Sequence, residues 1–148
     1  PPLFLCHLPY LFPLPLHIIL VGKGGIFKTT FFNYLLLPSL REYYLNESAA
    51  IYTDKDHMES FACKALLCMD EFDSTIGRNL NAFKSNITKL QFSIRRPYDR
   101  FRSDLMHRAS VAGTTNNQQI ITDLENRRYS PWLVESIESP IDKPFNYT

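Results

Sequence analysis

The sequence predicts an α/β domain of three layers, αβα, with a mostly parallel sheet between helices. Three observations carry this. Residues 17–21 (HIILV) and 65–69 (ALLCM) are unbroken apolar runs of strand length, the pattern of strands buried on both faces. Residues 110–114 (SVAGT) form a third, small-residue run. Helix-period segments lie between them, and strands alternating with helices build parallel sheets.

The elements follow in order. Residues 1–16 are apolar and hold five of the chain's ten prolines. We read them as an atypical leader or fragment edge, and residues 17–148 as one domain, incomplete at both ends. Residues 3–21 are long enough to raise a membrane span, but Pro9, Pro13 and Pro15 would break that helix. With no basic n-region and no small-residue cleavage site, a signal peptide is not indicated either. The strand at 17–21 ends at Gly22, and a glycine-bearing loop leads to a helix over 29–37, stopped by Pro38. Residues 39–56 give no clear pattern. A short helix fits 57–64, ahead of the strand that ends in Asp70 and Glu71. Leu80, Phe83, Ile87 and Leu90 recur at spacings of 3, 4 and 3, which predicts an amphipathic helix. Residues 92–94 read as a strand entering a basic segment. After the strand at 110–114 come a weak helix at 119–124 and a last strand at 129–134.

Composition excludes several classes. The 148 residues are 45% hydrophobic and 21% charged, enough for a packed core and unlike a disordered chain. The net charge of +1 advertises no partner. Three cysteines, none in a CxxC pair, exclude a disulfide framework and suit a reducing, cytoplasmic setting. His57 and His107 have no companion at metal-finger spacing, and no nucleophile elbow supports Ser/His/Asp catalysis.

The loop Gly22-Lys23-Gly24-Gly25-Ile26-Phe27-Lys28-Thr29, followed by Thr30, lies between a buried strand and a helix. That is the setting of a phosphate-binding loop. Glycines let backbone amides close on phosphate oxygens, and the helix N-terminus faces the anion. A lysine reaches the outer phosphates and a hydroxyl ligates magnesium, roles that fit Lys28 and Thr29. Phe27 stands where the pattern places glycine. Because phenylalanine takes positive φ only at a cost, the unusual torsions are expected at Gly24 and Gly25. The plain alternative is a glycine-rich turn with no ligand.

Asp70 and Glu71 close a strand 42 residues after Lys28, so both emerge at the carboxyl edge of the sheet, where ligands of open α/β sheets collect. Asp70 can hold the magnesium shell, and Glu71 can orient or deprotonate water. Asn116, at the end of the small-residue strand, can position that water, although Asn116-Asn117 is also a good turn. Arg127 and Arg128 can stabilise charge on a transferred phosphoryl group, or be two surface arginines. Residues 84–108 carry seven lysines and arginines against two aspartates. With Tyr98 and Phe101 interleaved, Arg95, Arg96 and Arg100 suit single-stranded nucleic acid, or a solvated helix face.

The order of these segments resembles the P-loop ATPase domain of the virulence-associated protein E family, related to superfamily-three helicases and the AAA+ fold. The matching stretches are VGKGGIFKTTFFNYLL, TDKDH, ALLCMDEFD, LNAFKSNIT, RRPYDRF, ASVAGTTNNQQIITDLENRRY and IESPIDKPFNY. The resemblance implies ATP hydrolysis with Mg2+, often tied to DNA replication in mobile or phage elements and commonly beside a primase domain. By position, Lys28 and Thr29 match the Walker A lysine and hydroxyl, Asp70 and Glu71 match Walker B, and Asn116 matches the sensor asparagine. Arg127 and Arg128 match a double arginine, of which one is a candidate finger toward a neighbour's nucleotide, implying a ring or at least a dimer. Arg96 and Tyr98 fall in an R-x-x-Y-like segment. The chain departs from the family at Phe27 and at 124–126, where a glycine-bearing turn is usual.

The expectation is therefore an ATP-hydrolysing domain, helicase-like, with single-stranded DNA as partner and no membrane. Its rivals are a non-catalytic nucleic-acid-binding module that kept the architecture, and a small-molecule kinase, for which no acceptor lid is visible.

Overall fold

The computed structural model describes residues 17–48, 57–72, 85–95, 100–119 and 129–138. They hold β1 (His17–Val21), α1 (Lys28–Leu35), a 3-10 segment at Pro38–Tyr43 and β2 (Tyr44–Ser48). α2 (Ser60–Cys63), β3 (Leu66–Asp70), β4 (Gln91–Ile94), β5 (Ser103–Met106), β6 (Ser110–Thr115) and β7 (Tyr129–Leu133) follow.

Five strands form one sheet in the order β2-β3-β6-β1-β7, every neighbouring pair parallel. β4 and β5 form a separate antiparallel pair. The apolar runs become the central strands, since only a strand covered on both faces needs side chains without charge. Ile19, Val21, Leu67, Met69 and Val111 face one core with Phe61 of α2, Phe72, Phe92 and Tyr129. Leu20, Leu66, Cys68 and Ala112 face the other with Phe32 of α1. Helices thus flank both sides of the sheet. Burial in this second layer pushes the Cys68 thiol up to about 12, so it is a packing group and not a nucleophile.

Several expectations change. Ile18 is 41% exposed, so β1 is not covered on both faces along its whole length; its register partner Ser130 lies on β7, an edge strand of the sheet. α1 ends at Leu35, because Leu36 is extended (φ −78°, ψ 143°) and Pro38 opens the 3-10 turn. β2 and β5 are strands beyond those expected. Of the helix expected from Leu80 to Leu90, residues 85–87 are a helical turn; Ile87 is buried, but Leu90 is 58% exposed and precedes β4. Gln119 lies in a turn, and the rest of the helix expected at 119–124 lies outside the described residues, as does the 1–16 leader. No helix among the described residues is long and apolar enough to cross a membrane.

Candidate functional site

The site gathers at the carboxyl ends of β1, β6 and β3, three adjacent strands. β1 delivers the loop. Gly22 N donates to Thr115 O at 3.1 Å, and Val134 N donates to Val21 O at 2.8 Å, so the strand end is stitched on both sides. Gly22 is required sterically: a Cβ there would lie 2.3 Å from the Val134 carbonyl oxygen. This contact with Val134 leaves no signal in the sequence.

Phe27 corrects the expectation for the loop. Left-handed torsions occur at Gly25 (φ 80°) and at Phe27 itself (φ 62°), and not at Gly24. Phe27 is the N-cap of α1 and its carbonyl accepts from Phe31 N at 2.8 Å. The first helical bond therefore fixes the residue that its side chain disfavours, at about 1–2 kcal/mol. No side chain caps α1 and no acid stands in its first turn, so its amino end keeps its affinity for an anion. Gly24 is open: a Cβ there would find Asn116 Nδ2 as its nearest neighbour, at 3.8 Å.

Lys28 is 7% exposed. Its Nζ donates to Gly22 O and Lys23 O at 2.7 Å each, and to Asn116 Oδ1 at 2.8 Å. Burial holds its pKa below the ordinary lysine value, and the charge of Asp70 partly offsets this. Tyr44 of β2 donates its hydroxyl to Thr29 O at 3.0 Å, tying the first turn of α1 to the far edge strand.

Asp70 ends β3. Its Oδ1 accepts from the Thr114 hydroxyl and from Glu71 N, the latter at 3.1 Å. Glu71 is the second non-glycine residue at positive φ (51°). Next to it, Phe72 is 2% exposed, its ring 3.2 Å from where a Cβ on Gly113 would lie and 5.6 Å from Tyr129, edge-on. Anchoring Phe72 in the core turns the chain sharply at Glu71 and leaves the Glu71 side chain exposed. Among the described residues, Phe27 and Glu71 are the two strained non-glycine positions, and such strain gathers at functional sites. Thr114 is a site residue that sequence reasoning misses, although a hydroxyl at the end of a small-residue strand is the signal that could find it.

The structure thus brings Lys28, Asn116, Asp70 and Thr114 together, with Glu71 adjoining. Arg96, Tyr98, Arg127 and Arg128 lie outside the described residues. Arg95 and Arg100 flank the β4–β5 pair, which is separate from the five-stranded sheet. Arg100 is exposed beside Phe101, which is 83% exposed. No group of three His, Cys, Asp or Glu suited to a metal occurs among the described residues.

Comparison with known proteins agrees with this architecture. A family model described as the virulence-associated protein E-like domain matches residues 14–145. Structures of the NrS-1 C-terminal region are similar in fold. One apo structure (305–718) superposes with TM-score 0.63 at 19% identity, covering 88% of this chain and 32% of that one. An A-form apo structure (305–718) gives 0.60 at 16%, covering 98% and 34%. A further A-form structure gives 0.58 at 15%, covering 83% and 29%. The chain therefore spans about a third of the solved structures it resembles. No curated protein matches it.

Proposed function

This chain belongs to the virulence-associated protein E-like family, and we propose that residues 17–148 act within it as a P-loop ATPase unit that binds ATP with magnesium and transfers the terminal phosphoryl group to water. The observation that carries this reading is the convergence of Lys28, Asn116 and Asp70 at the ends of three adjacent parallel strands. Ligands of open parallel sheets bind at that edge, and a buried lysine beside an uncapped helix start favours a polyphosphate.

Each residue has a role in this scheme. Backbone amides of Gly24 to Phe27, with Lys28 and the first-turn residues Thr29 and Thr30, hold the phosphates. Thr29 and Asp70 fit a magnesium ion by donor chemistry, a hydroxyl and a carboxylate, since that ion takes oxygen ligands and keeps waters. The two hydrogen bonds to Asp70 both fall on Oδ1, which leaves Oδ2 for the cation shell. When bound, magnesium neutralises charge on the outer phosphates. Glu71, exposed at its sharp turn, accepts the proton of the attacking water, and Asn116 orients that water. Arg127 or Arg128 completes a neighbour's site, which calls for a ring or at least a dimer.

Arg95, Arg100 and Arg102 around β4 and β5, with the exposed ring of Phe101, support contact with single-stranded DNA through charge and stacking. The same hairpin favours the second reading, a nucleic-acid-binding module without turnover. A cytoplasmic protein working in replication of mobile or phage elements, beside a primase domain, is the setting proposed for the longer protein.

Glu71→Gln tests the proposal. It should keep Mg-ATP binding by calorimetry while ATP turnover falls at least about 100-fold. A wild-type protein that binds DNA but shows no turnover would establish the second reading instead. Specific activity that rises with protein concentration would support the arginine supplied in trans; flat activity would count against it.

A further inference from the structure

An ammonium group has three N–H donors and no more. In Lys28 all three are spent, on Gly22 O, Lys23 O and Asn116 Oδ1, at 2.7, 2.7 and 2.8 Å. A phosphate can receive a hydrogen bond from this nitrogen only if one acceptor gives way. The three acceptors are not equal in their freedom to do so.

Gly22 is fixed by its own N–H bond to Thr115 O and by the Val134 carbonyl, which fills the space where a Cβ would be. Lys23 O belongs to the next peptide of the same stitched strand end. Asn116 is different: it is an exposed side chain on rotatable bonds just past β6. Because lysine only donates, the amide must present Oδ1 to it, which turns Nδ2 toward Gly24 across the loop.

We propose that Asn116 is a positioning residue for Lys28 in the nucleotide-free protein: its amide oxygen occupies the third lysine donor, and an arriving diphosphate or triphosphate must displace it. The inference rests on the reading of this loop as a phosphate site and adds an exchange step to it. Displacement frees the Asn116 amide at the moment the phosphates are seated, so the residue turns toward water only when substrate is present. Binding energy is spent in breaking the resting contact, which weakens nucleotide affinity below what the loop alone would give.

ADP separates this role from contact with a terminal phosphate, since ADP has none. Titrate Mg-ADP into wild type, Asn116→Ala and Asn116→Asp by calorimetry, with thermal midpoints to verify folding. Asn116→Ala leaves one lysine donor free and should bind ADP about three- to tenfold more tightly. Asn116→Asp sets a carboxylate against the lysine ammonium, strengthens the resting contact and should bind ADP more weakly than wild type, by a similar factor. ADP affinities unchanged in both variants, or weakened in Asn116→Ala, would overturn the exchange while leaving the phosphate site intact. A folded wild type that takes up neither ADP nor ATP would overturn the phosphate site itself.

Discussion

The carboxyl edge of the parallel sheet and the β4–β5 hairpin are built by opposite rules. At the sheet edge, polar groups satisfy one another, and Lys28, Thr114 and Thr115 are buried. Main-chain bonds from Gly22 and Val134 lock the loop, and two non-glycine residues, Phe27 and Glu71, accept left-handed torsions. The hairpin instead holds to the body at its base. Phe61 stacks on Phe92 at 5.2 Å and meets the His107 ring edge-on at 5.0 Å. Its carbonyl accepts from Arg108 N and Ala109 N at 2.9 and 3.0 Å. Toward the far end of the pair, Arg95, Arg100, Phe101 and Arg102 are exposed. One region ties its polar side chains into a bonded network; the other presents a charged, aromatic surface. The proposed hydrolysis calls for the first kind of order, and the proposed contact with single-stranded DNA for the second.

The contrast can be broken first at the hairpin base. Phe61→Ala, at a fully buried ring, should cost about 3–5 kcal/mol in chemical denaturation. Hydrogen exchange should show β4 and β5 losing protection before β1 and β6 do. Equal loss in both would mean that the two regions are one cooperative unit.

Gly22→Ala attacks the other side. Its Cβ meets backbone, which cannot rotate away, so the loop must shift at a cost of about 3 kcal/mol. Mg-ATP binding should vanish in calorimetry while affinity for single-stranded DNA persists.

Acid offers a gentler probe. His107 Nδ1 lies 2.8 Å from Lys89 O, so the neutral ring carries its proton there and donates it. Burial holds the His107 pKa below the ordinary imidazole value, with the Lys89 and Ala109 carbonyls partly offsetting it. The folded state thus prefers the neutral ring. This contribution is fully present above about pH 6.5 and is lost as pH falls from there through the depressed folded value. Thermal midpoints should drop over that window in wild type, and the drop should shrink in His107→Gln.

The smallest expected effect sharpens the view of the loop. Phe27→Gly removes the cost of a left-handed phenylalanine but adds glycine's unfolded-state entropy. A net gain of up to about 1 kcal/mol is expected, read as a raised unfolding midpoint. A loss of stability would show that the ring makes contacts outweighing its strained backbone.

Much of the sheet is legible because central strands advertise themselves. HIILV, LLCMD and SVAGTT carry no charge except at the end that meets the site. The loop and its lysine are legible because a glycine-bearing turn between a buried apolar run and a helical segment stands out in the sequence. The edge strand YLNES and the hairpin strand SDLM are not, since strands exposed on one side or both mix polar and apolar residues without a clear period. Leu90 misleads, because it fits the helical spacing of Ile87 yet lies exposed ahead of β4. Phe27 misleads because a residue's own torsional preference is weaker than the loop and helix that hold it. The bond from Lys28 to Asn116 spans 88 positions in the chain, a separation at which no local pattern speaks.

β6 joins the two regions that differ so much. It follows the hairpin by a few residues, is paired to β3 on one flank and β1 on the other, and hands the chain to Asn116 at its far end. Six residues of extended chain measure about 20 Å. A strand gripped on both flanks can neither stretch nor slip its register without breaking two ladders at once. The gap between the surface arm and the asparagine is thus a constant of the molecule, and any signal running between them must travel as rotation or bending, never as a change of length.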